Sequence, residues 1–317
     1  MYDYIVVGGG PAGAVASYCL QRRGFRCLLL EAQSPKQEKT CGGYLTWTGV
    51  ELLKSIGLDP EVLLHRGACR LDSLLIQQDG TESIHRYHCG EFGIGTQRLL
   101  LDEWLLHCAE DSGTDIRYGC TVKTYSAVSD GYNIMGYKGR HIVFATGAGG
   151  FPGTAERQAL RNQTFGVSAH IYCEGASSFE SGRVYFWFLQ NGLNDYFWAI
   201  PIGDSLWNIG IWLQKPSGQA KALFEENLKR WINPVMARWH YIRPPRGAFC
   251  GNVNLSKSLP TGCYGIGDFA GCNNFETGEG LRYALASAIS FAAERKEDER
   301  KNGVELSTGA SCHPGRG

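Results

Sequence analysis

Three glycines near the start of the chain have the spacing of a dinucleotide-binding turn. Gly8, Gly10 and Gly13 follow the apolar run 2–7 and open a stretch with helical character. In such a turn the first glycine makes the bend, the second lets the backbone approach a pyrophosphate, and the third lets helix and strand come close. Glu31 stands 18 residues after Gly13, where it can accept hydrogen bonds from ribose hydroxyls. The turn therefore predicts dinucleotide binding, but it does not distinguish NAD from FAD.

A carboxylate and a second glycine-rich turn, late in the chain, decide between the two cofactors. Residues 265–271 read Gly-Ile-Gly-Asp-Phe-Ala-Gly, and residues 276–281 read Glu-Thr-Gly-Glu-Gly-Leu. This arrangement resembles the FAD-dependent oxidoreductases of the aromatic-hydroxylase superfamily. The resemblance implies that Asp268 binds the ribityl chain and that a helix starting near Gly280 directs its N–H groups at the flavin C2 carbonyl. A helix N-terminus there stabilises negative charge on the reduced flavin. The predicted cofactor is FAD.

Two further segments fit the superfamily. Arg98 begins the pattern R-x-x-L-D-x-x-L, in which the arginine of the superfamily reaches the FAD. A surface arginine near a helix start is the alternative. Residues 145–147 read Ala-Thr-Gly, where hydroxylases usually carry Ala-Asp-Gly. This departure removes an aspartate used near reduced nicotinamide, and so it weakens the expectation of tight NADPH use.

Three motifs are similar to the geranylgeranyl reductase family, including its short bacterial members. The first is the Cys-Gly-Gly of residues 41–43, which follows the basic residue Lys39. The second is the Tyr-Phe-Trp-Ala-Ile-Pro of residues 196–201, with Gly-Asp and Asn-Ile-Gly after it. The third is the stretch 275–281. The likeness extends over residues 1 to about 295 and implies the same fold.

The narrower resemblance implies roles for one thiol and for a group of aromatic residues. In the family the Cys-Gly-Gly loop lies over the flavin ring, so Cys41 is the candidate catalytic residue. A thiol is mostly protonated at neutral pH, and Cys41 would donate a proton to a carbon that has just received hydride. The alternative is a small apolar residue that fills space beside the flavin. The predicted substrate pocket contains Phe186, Trp187, Tyr196 and Trp198, unless these side chains form an ordinary sheet core.

The complete set of predicted FAD-binding residues combines the glycine turn, the end of the second strand, the Cys-Gly-Gly loop and the late motifs. These residues are Gly8, Gly10, Pro11, Ala12, Gly13, Glu31, Ala32, Cys41, Gly42, Gly43, Arg98, Ala145, Thr146, Gly147, Gly267, Asp268, Gly278, Gly280 and Leu281.

The elements that must position these residues predict an α/β fold: a discontinuous Rossmann-like FAD-binding domain with an inserted antiparallel-sheet substrate domain. Apolar runs at 2–7, 26–31 and 140–150 are typical of buried parallel strands, while 164–214 is rich in β-branched and aromatic residues with turn signals. Helices are expected at 14–23, 48–56, 97–112, 218–232 and 280–294. The predicted FAD-binding domain comprises 1–65, 95–150 and 251–295, the substrate-binding domain 66–94 and 151–250, and the flexible tail 296–317.

Composition excludes several classes of function. The formal net charge is zero, so a basic surface for nucleic acid is not expected. The chain has no apolar run of 18 residues and no secretory signal, which together predict a cytoplasmic protein, with peripheral membrane contact left open. Twelve cysteines are scattered without any Cys-x-x-Cys pair, and their spacings with histidine match no metal site, so no metal is predicted.

The motifs leave three functions open. The first is an FAD-dependent oxidoreductase that reduces or oxidises an apolar, isoprenoid-like small molecule by hydride transfer through flavin N5. The second is a flavin monooxygenase acting on a small molecule or a peptide side chain. A halogenase is a special case of this second class. Halogenases need a lysine in the region after the second strand, and this chain has none between Lys54 and Lys123, so halogenation is disfavoured. The third is a flavin-binding maturation factor that docks a protein. No second glycine turn of this kind follows a strand, so the expected electron donor is external, either NAD(P)H or a redox partner protein.

Overall fold

A computed structural model shows the fold of the chain. It describes residues 1–34, 37–151, 164–174, 177–191, 193–215, 218–250, 259–274 and 276–295. The strands are β1 (Tyr2–Val7), β2 (Cys27–Leu30), β3 (Tyr44–Leu45), β4 (Cys69–Leu71), β5 (Ser73–Gln78), β6 (Thr81–Arg86), β7 (Gly93–Gly95), β8 (Asp115–Arg117), β9 (Ser126–Val128), β10 (Gly131–Ile134), β11 (Tyr137–Phe144), β12 (Thr164–Cys173), β13 (Arg183–Phe188), β14 (Tyr196–Gly203), β15 (Leu206–Leu213), β16 (Trp239–Cys250) and β17 (Cys263–Gly265). The α-helices are α1 (Pro11–Arg22), α2 (Trp47–Ser55), α3 (Arg98–Asp111), α4 (Ala220–Asn227) and α5 (Leu281–Ala293).

The first sheet carries the dinucleotide turn. Its order is β8–β2–β1–β11–β10–β9, and β17 pairs with the second half of β11. The pairs that β1 forms with β2 and β11 are parallel, as are the pairs β2–β8 and β11–β17. Helices α1, α3 and α5 cover one face, where Tyr4, Val6 and Leu29 are buried beneath them. Because parallel strands end at the same edge, the loops after β1, β11 and β17 meet there.

The second sheet has the order β16–β12–β15–β14–β13–β5–β6, and its pairs are antiparallel except for β13–β5. One face is covered by α4 and by the π-helical turn Leu228–Ile232 that continues it, and this face buries Phe197, Ile209 and Ile211. The opposite face carries the aromatic residues of β14 and looks toward the loops of the first sheet. A small third sheet, β3–β7–β4, lies between the two.

The predicted α/β class, with a dinucleotide-binding unit and an additional antiparallel sheet, is confirmed. The division into domains stays a proposal, although β5 and β6 do join the second sheet as the 66–94 assignment requires. The predicted tail, 296–317, lies outside the described residues. Strand β16, which contains Pro244 and Pro245, was not among the predicted elements. The strand forms nevertheless, since it lies at the edge of its sheet, where missing N–H donors are tolerated.

Candidate functional site

The glycine turn contains two glycines that the fold requires and one whose Cβ position is open. Gly8 has φ +106°, and a Cβ there would collide with the carbonyl of Ala145. A Cβ on Gly13 would collide with the carbonyl of Gly8. A Cβ on Gly10, by contrast, would meet only the Nζ of Lys39, at 3.4 Å. Gly8 and Gly13 are therefore required by the fold, whereas the space beside Gly10 is available for a ligand.

The start of α1 and the carboxylate of Glu31 form one end of the site. Helix α1 begins at Pro11, and its N-cap Gly10 offers no side chain to its N–H groups. Glu31 accepts hydrogen bonds from the backbone N–H of Gly9 at 2.7 Å and of Gln33 at 2.8 Å. Donation of hydrogen bonds to Glu31 by ribose hydroxyls stays a prediction. Ala32, which follows Glu31, is exposed at the same strand end.

Asp268 and the start of α5 form the other end. Asp268 lies in the 3₁₀ turn Gly267–Ala270 that follows β17, and it accepts a hydrogen bond from the side chain of Asn273 at 3.1 Å. Burial raises the pKa of Asp268. The hydrogen bond from Asn273 and the positive charges of Arg98 and Lys39 act to lower this pKa, but by less. A Cβ on Gly280, the N-cap of α5, would lie 3.8 Å from the Asp268 carboxylate. Leu281 then begins the helix.

The two ends belong to one continuous site. Gly267 has φ +61°, and a Cβ there would lie 2.9 Å from the Cβ of Ala12 at the start of α1. Ala145, Thr146 and Gly147 follow β11 and form the floor next to Gly8, as the Ala145 contact shows. These separate segments therefore lie together at one edge of the first sheet. Their assignment as FAD-binding residues stays a prediction.

Orphaned polar atoms show that this edge fits FAD. The buried Oγ1 of Thr146 and Oδ1 of Asn273 have no hydrogen-bond partner within the described chain. The space beside Gly10 is open, and neither α1 nor α5 has a side-chain cap. A dinucleotide would supply phosphate oxygens at α1 and ribityl and flavin polar atoms at Asp268 and α5. Asn273 was missed by the sequence reasoning, because nothing in its local pattern distinguishes it from an ordinary turn residue.

Cys41 lies beside a buried cation. The Cys41 sulfur accepts a hydrogen bond from the N–H of Gly43 at 3.5 Å. Arg98 donates to the carboxylate of Asp102 at 3.0 and 3.1 Å. Burial alone would lower the pKa of Arg98. The carboxylate of Asp102 and, to a smaller extent, the Cys41 sulfur have the opposite effect, and the net result is a raised pKa. Lys39 also pairs with Asp102, at 3.3 Å. The thiol is thus next to a guanidinium that is permanently charged.

Glu38 holds this loop against α3. Its carboxylate accepts hydrogen bonds from the N–H of Arg98 at 2.9 Å and of Leu99 at 3.0 Å. These are two of the N–H groups that a helix start leaves without partners, so Glu38 caps α3 from a distant loop. No local pattern indicates this role, because the capping residue stands 60 positions before the helix.

The aromatic face of the second sheet covers the Cys-Gly-Gly loop. Asn208 on β15 donates to the carbonyl of Cys41 at 2.6 Å and accepts from the indole N–H of Trp198 at 2.8 Å. A Cβ on Gly42 would lie 2.9 Å from Ile200, so this glycine permits the close approach. Gly43 has φ +74° and no room for a side chain beside Thr96.

The same face also covers the turn before α5. The hydroxyl of Tyr196 donates to the carbonyl of Thr277 at 2.7 Å. Gly278, with φ +71°, lies against the rings of Tyr196 and Trp212. The two loops that the resemblance places at the flavin are therefore both under this face. The motif 208–210 contains Asn208 without indicating a role for it. In the structure, Asn208 connects β15 to Trp198 and to the Cys41 loop.

The predicted pocket residues do not all share one face. Phe186, Tyr196 and Trp198 lie on the face toward Cys41. Trp187 lies on the opposite face, where its ring stacks on that of Trp231 at 5.2 Å. Successive residues of a strand point to opposite sides, so Phe186 and Trp187 could not both line one pocket. The assignment of Trp187 to the pocket is corrected: it is a core residue beneath α4.

His170 gives the site a pH-dependent stability. It is 2% exposed on β12, and burial, followed by the positive charge of Arg243, lowers its pKa from 6.5 to about 4. Between these values the unfolded chain takes up a proton that the folded protein does not. The free energy of unfolding should therefore fall as the pH drops from 6.5 to about 4, by up to about 3 kcal/mol at roughly 1.4 kcal/mol per pKa unit.

Chemical denaturation of wild type and of His170→Leu at about pH 7 and about pH 5 measures this effect. We expect the stability of wild type relative to the variant to decrease at the lower pH. His107→Leu, which alters an exposed histidine of α3, is the control: the stability of wild type relative to this variant should be the same at both pH values. A wild-type-to-variant difference that is the same at both pH values would contradict the assignment.

Two kinds of feature are absent from the described residues. Among them, no group of three or more His, Cys, Asp or Glu side chains is arranged to hold a metal ion. None of the helices in the same part of the chain is long and apolar enough to cross a membrane.

Known proteins match the chain along most of its length. A family profile described as FAD binding domain matches residues 1–134. Menaquinone reductase of Mycobacterium tuberculosis is 26% identical, over 92% of this chain and 76% of the relative. Digeranylgeranylglycerophospholipid reductase of Methanococcus vannielii is 24% identical, over 90% of this chain and 74% of the relative.

Solved structures share the fold. A geranylgeranyl bacteriochlorophyll reductase-like protein of Thermoplasma acidophilum superposes with a TM-score of 0.76 at 19% identity, covering 92% of this chain and 77% of the other. The halogenase PltM superposes with a TM-score of 0.74 at 17% identity, covering 92% and 68%. The profile and the relatives show that the chain is an FAD-dependent oxidoreductase. The predicted resemblance to the geranylgeranyl reductase family is confirmed.

Proposed function

We propose that the protein reduces carbon–carbon double bonds in the isoprenoid chain of an apolar substrate. The observation that carries this proposal is the position of Cys41, a thiol held between the Arg98 guanidinium and an aromatic sheet face. Relatives named as menaquinone reductase and digeranylgeranylglycerophospholipid reductase support the substrate class. Bound FAD, once reduced, supplies the hydride for this chemistry.

The protein's own residues contribute binding, orientation and a proton. Gly10, the start of α1, Glu31 and Asp268 hold FAD. The aromatic side chains Phe186, Tyr196 and Trp198 give an isoprenoid chain an apolar surface and exclude water above the loop. Cys41 donates its proton to the alkene carbon next to the one that has received hydride. The S–H bond breaks, a C–H bond forms, and the resulting thiolate is stabilised by Arg98 until a solvent proton restores the thiol.

The electrons come from outside the described fold, from NADH, NADPH or a reduced protein such as a ferredoxin. We also propose peripheral contact with a membrane, because a long isoprenoid chain resides in lipid. A peptide or protein substrate is the competing assignment, and in that case the aromatic face would bind a side chain.

Anaerobic reduction of the FAD-loaded protein tests the proposal. NADH, NADPH and reduced ferredoxin are each added, and the absorbance of bound FAD is followed. The donor that bleaches the FAD is then combined with an unsaturated isoprenoid. We expect the colour to return with formation of a product that has gained two hydrogen atoms. Return of colour only on admission of air, with an oxygenated product, would establish a monooxygenase instead.

A further inference from the structure

The sheet face above Cys41 has an aromatic half and a polar half. Strands β13 and β14 contribute the aromatic half, and β12 and β16 the polar half. The register places Ser168 opposite Gly210 and His170 opposite Asn208. The indole of Trp198 lies against Gly210, where a Cβ would collide with it, and so it forms the boundary between the halves.

Three buried polar atoms on this face have no hydrogen-bond partner among the described residues. They are the Oγ of Ser168, the Nε2 of His170 and the Nε1 of Trp212. Their side chains are 0%, 2% and 6% exposed. Burying a polar atom without a partner is unfavourable, and native proteins pair most such atoms. Three unpaired atoms on one face, next to a cofactor site, indicate a partner that the chain itself does not provide.

Two arginines make this half electropositive. On β16, Arg243 stands opposite His170, and Arg246 stands opposite Ser168. The Arg243 guanidinium donates to the carbonyls of Lys39 at 3.2 Å and Glu38 at 3.3 Å, which fixes it beside the Cys41 loop. The lowered pKa of His170 agrees with a positive field here. The Ser168 hydroxyl can donate a hydrogen bond, as can the His170 Nε2 when it carries the ring proton, and a positive field favours a ligand with acceptor oxygens.

We propose that Ser168 and His170 form a hydrogen-bonding subsite for the oxygen-bearing end group of the isoprenoid substrate, while Trp212, opposite Tyr196 on the aromatic side of Trp198, lies outside it. This inference rests on the proposed function. The shared chemistry is an oxygen that accepts hydrogen bonds, carried either by a phosphate ester or by a quinone carbonyl. With the end group fixed at β12, the chain extends across Trp198 and the aromatic half. The subsite thereby determines which double bond lies beside Cys41.

Two conservative variants remove the unpaired atoms of the subsite with little change of shape: Ser168→Ala and His170→Leu. Because these atoms have no partner within the described protein, the free energy of unfolding of the FAD-loaded variants at neutral pH should equal or exceed that of wild type. A marked loss of stability in both variants would show that the atoms have structural partners, and it would overturn the subsite.

Ligand titration of the FAD-loaded proteins tests recognition directly, with the absorbance of bound FAD as the signal. The probes are geranylgeranyl diphosphate, menaquinone and an isoprenoid hydrocarbon without oxygen. Each of the two variants should weaken binding of the oxygen-bearing probe about 10-fold, the value of one buried hydrogen bond, and leave the hydrocarbon unaffected. The probe that loses affinity identifies the end group as phosphate or quinone.

Two negative outcomes are distinguishable. If wild type binds isoprenoids and the two variants bind every probe equally well, the subsite is wrong and the proposed function stands. If wild type binds none of the probes, the proposed function fails and the subsite fails with it.

Discussion

Gly10→Val yields a folded protein that does not bind FAD. The backbone at Gly10 has φ −78° and ψ −177°, an extended conformation that valine adopts readily. A Cβ there would meet only the flexible end of Lys39, at 3.4 Å, so the protein itself accommodates the side chain. The pyrophosphate would approach the backbone at this point, and a branched side chain would occupy its position. The expected loss of FAD is therefore complete and separate from any loss of fold.

Heat release of the chromophore followed by chromatography measures FAD occupancy. Wild type should release intact FAD, because the predicted site would hold the cofactor by hydrogen bonds and helix termini. Gly218→Val is the matched control, since Gly218 is exposed, has nothing within 4 Å of its Cβ position and does not require a positive φ. The control should be fully yellow and the Gly10 variant colourless, with equal far-ultraviolet circular dichroism. Full FAD occupancy in Gly10→Val would remove Gly10 from the site.

Cys41→Ala slows product formation more than Cys41→Ser does. Alanine has no proton to donate, and a serine hydroxyl is a weaker acid than a thiol. We expect about a 10²-fold loss for serine, the lower end of general acid catalysis, and a larger loss for alanine. FAD occupancy and the rate of FAD reduction should be unchanged in both variants, because the groups that hold FAD stay in place.

The order of the two variants separates proton donation from space filling. If Cys41 merely packs beside the flavin, alanine should be tolerated, and serine should be the worse variant because its hydroxyl requires a hydrogen bond. Single-turnover reaction of the reduced protein with substrate measures the step without interference from the electron donor. Wild-type rates in both variants would exclude Cys41 as the proton donor.

The segments predicted to bind FAD lie together at one edge of the first sheet, and their local motifs have a physical origin. The constraints on Gly8 and Gly13 arise from backbone contacts within one β-α-β unit, and such contacts leave a fixed spacing in the sequence. Asp268 likewise follows a short strand that pairs with β11, so its position at the shared edge follows from the parallel sheet. The overall α/β class followed from the same periodicity.

Contacts between distant segments were not predictable in the same way. Glu38 caps α3, and Asn208 holds the carbonyl of Cys41, yet neither pair has a sequence spacing that would reveal it. Trp187 was predicted to line the pocket together with its neighbour Phe186. Strand geometry places such neighbours on opposite faces. The unpaired atoms of Ser168 and His170 became visible only once burial was known.

The most direct test of the account is a single turnover under strictly anaerobic conditions. The FAD-loaded protein is reduced, excess donor is removed, and an unsaturated isoprenoid is added while FAD absorbance and product mass are recorded. The account predicts that FAD is reoxidised without oxygen and that about one equivalent of product, heavier by two hydrogen atoms, forms per FAD. FAD that stays reduced until air is admitted, with no saturated product, would contradict it.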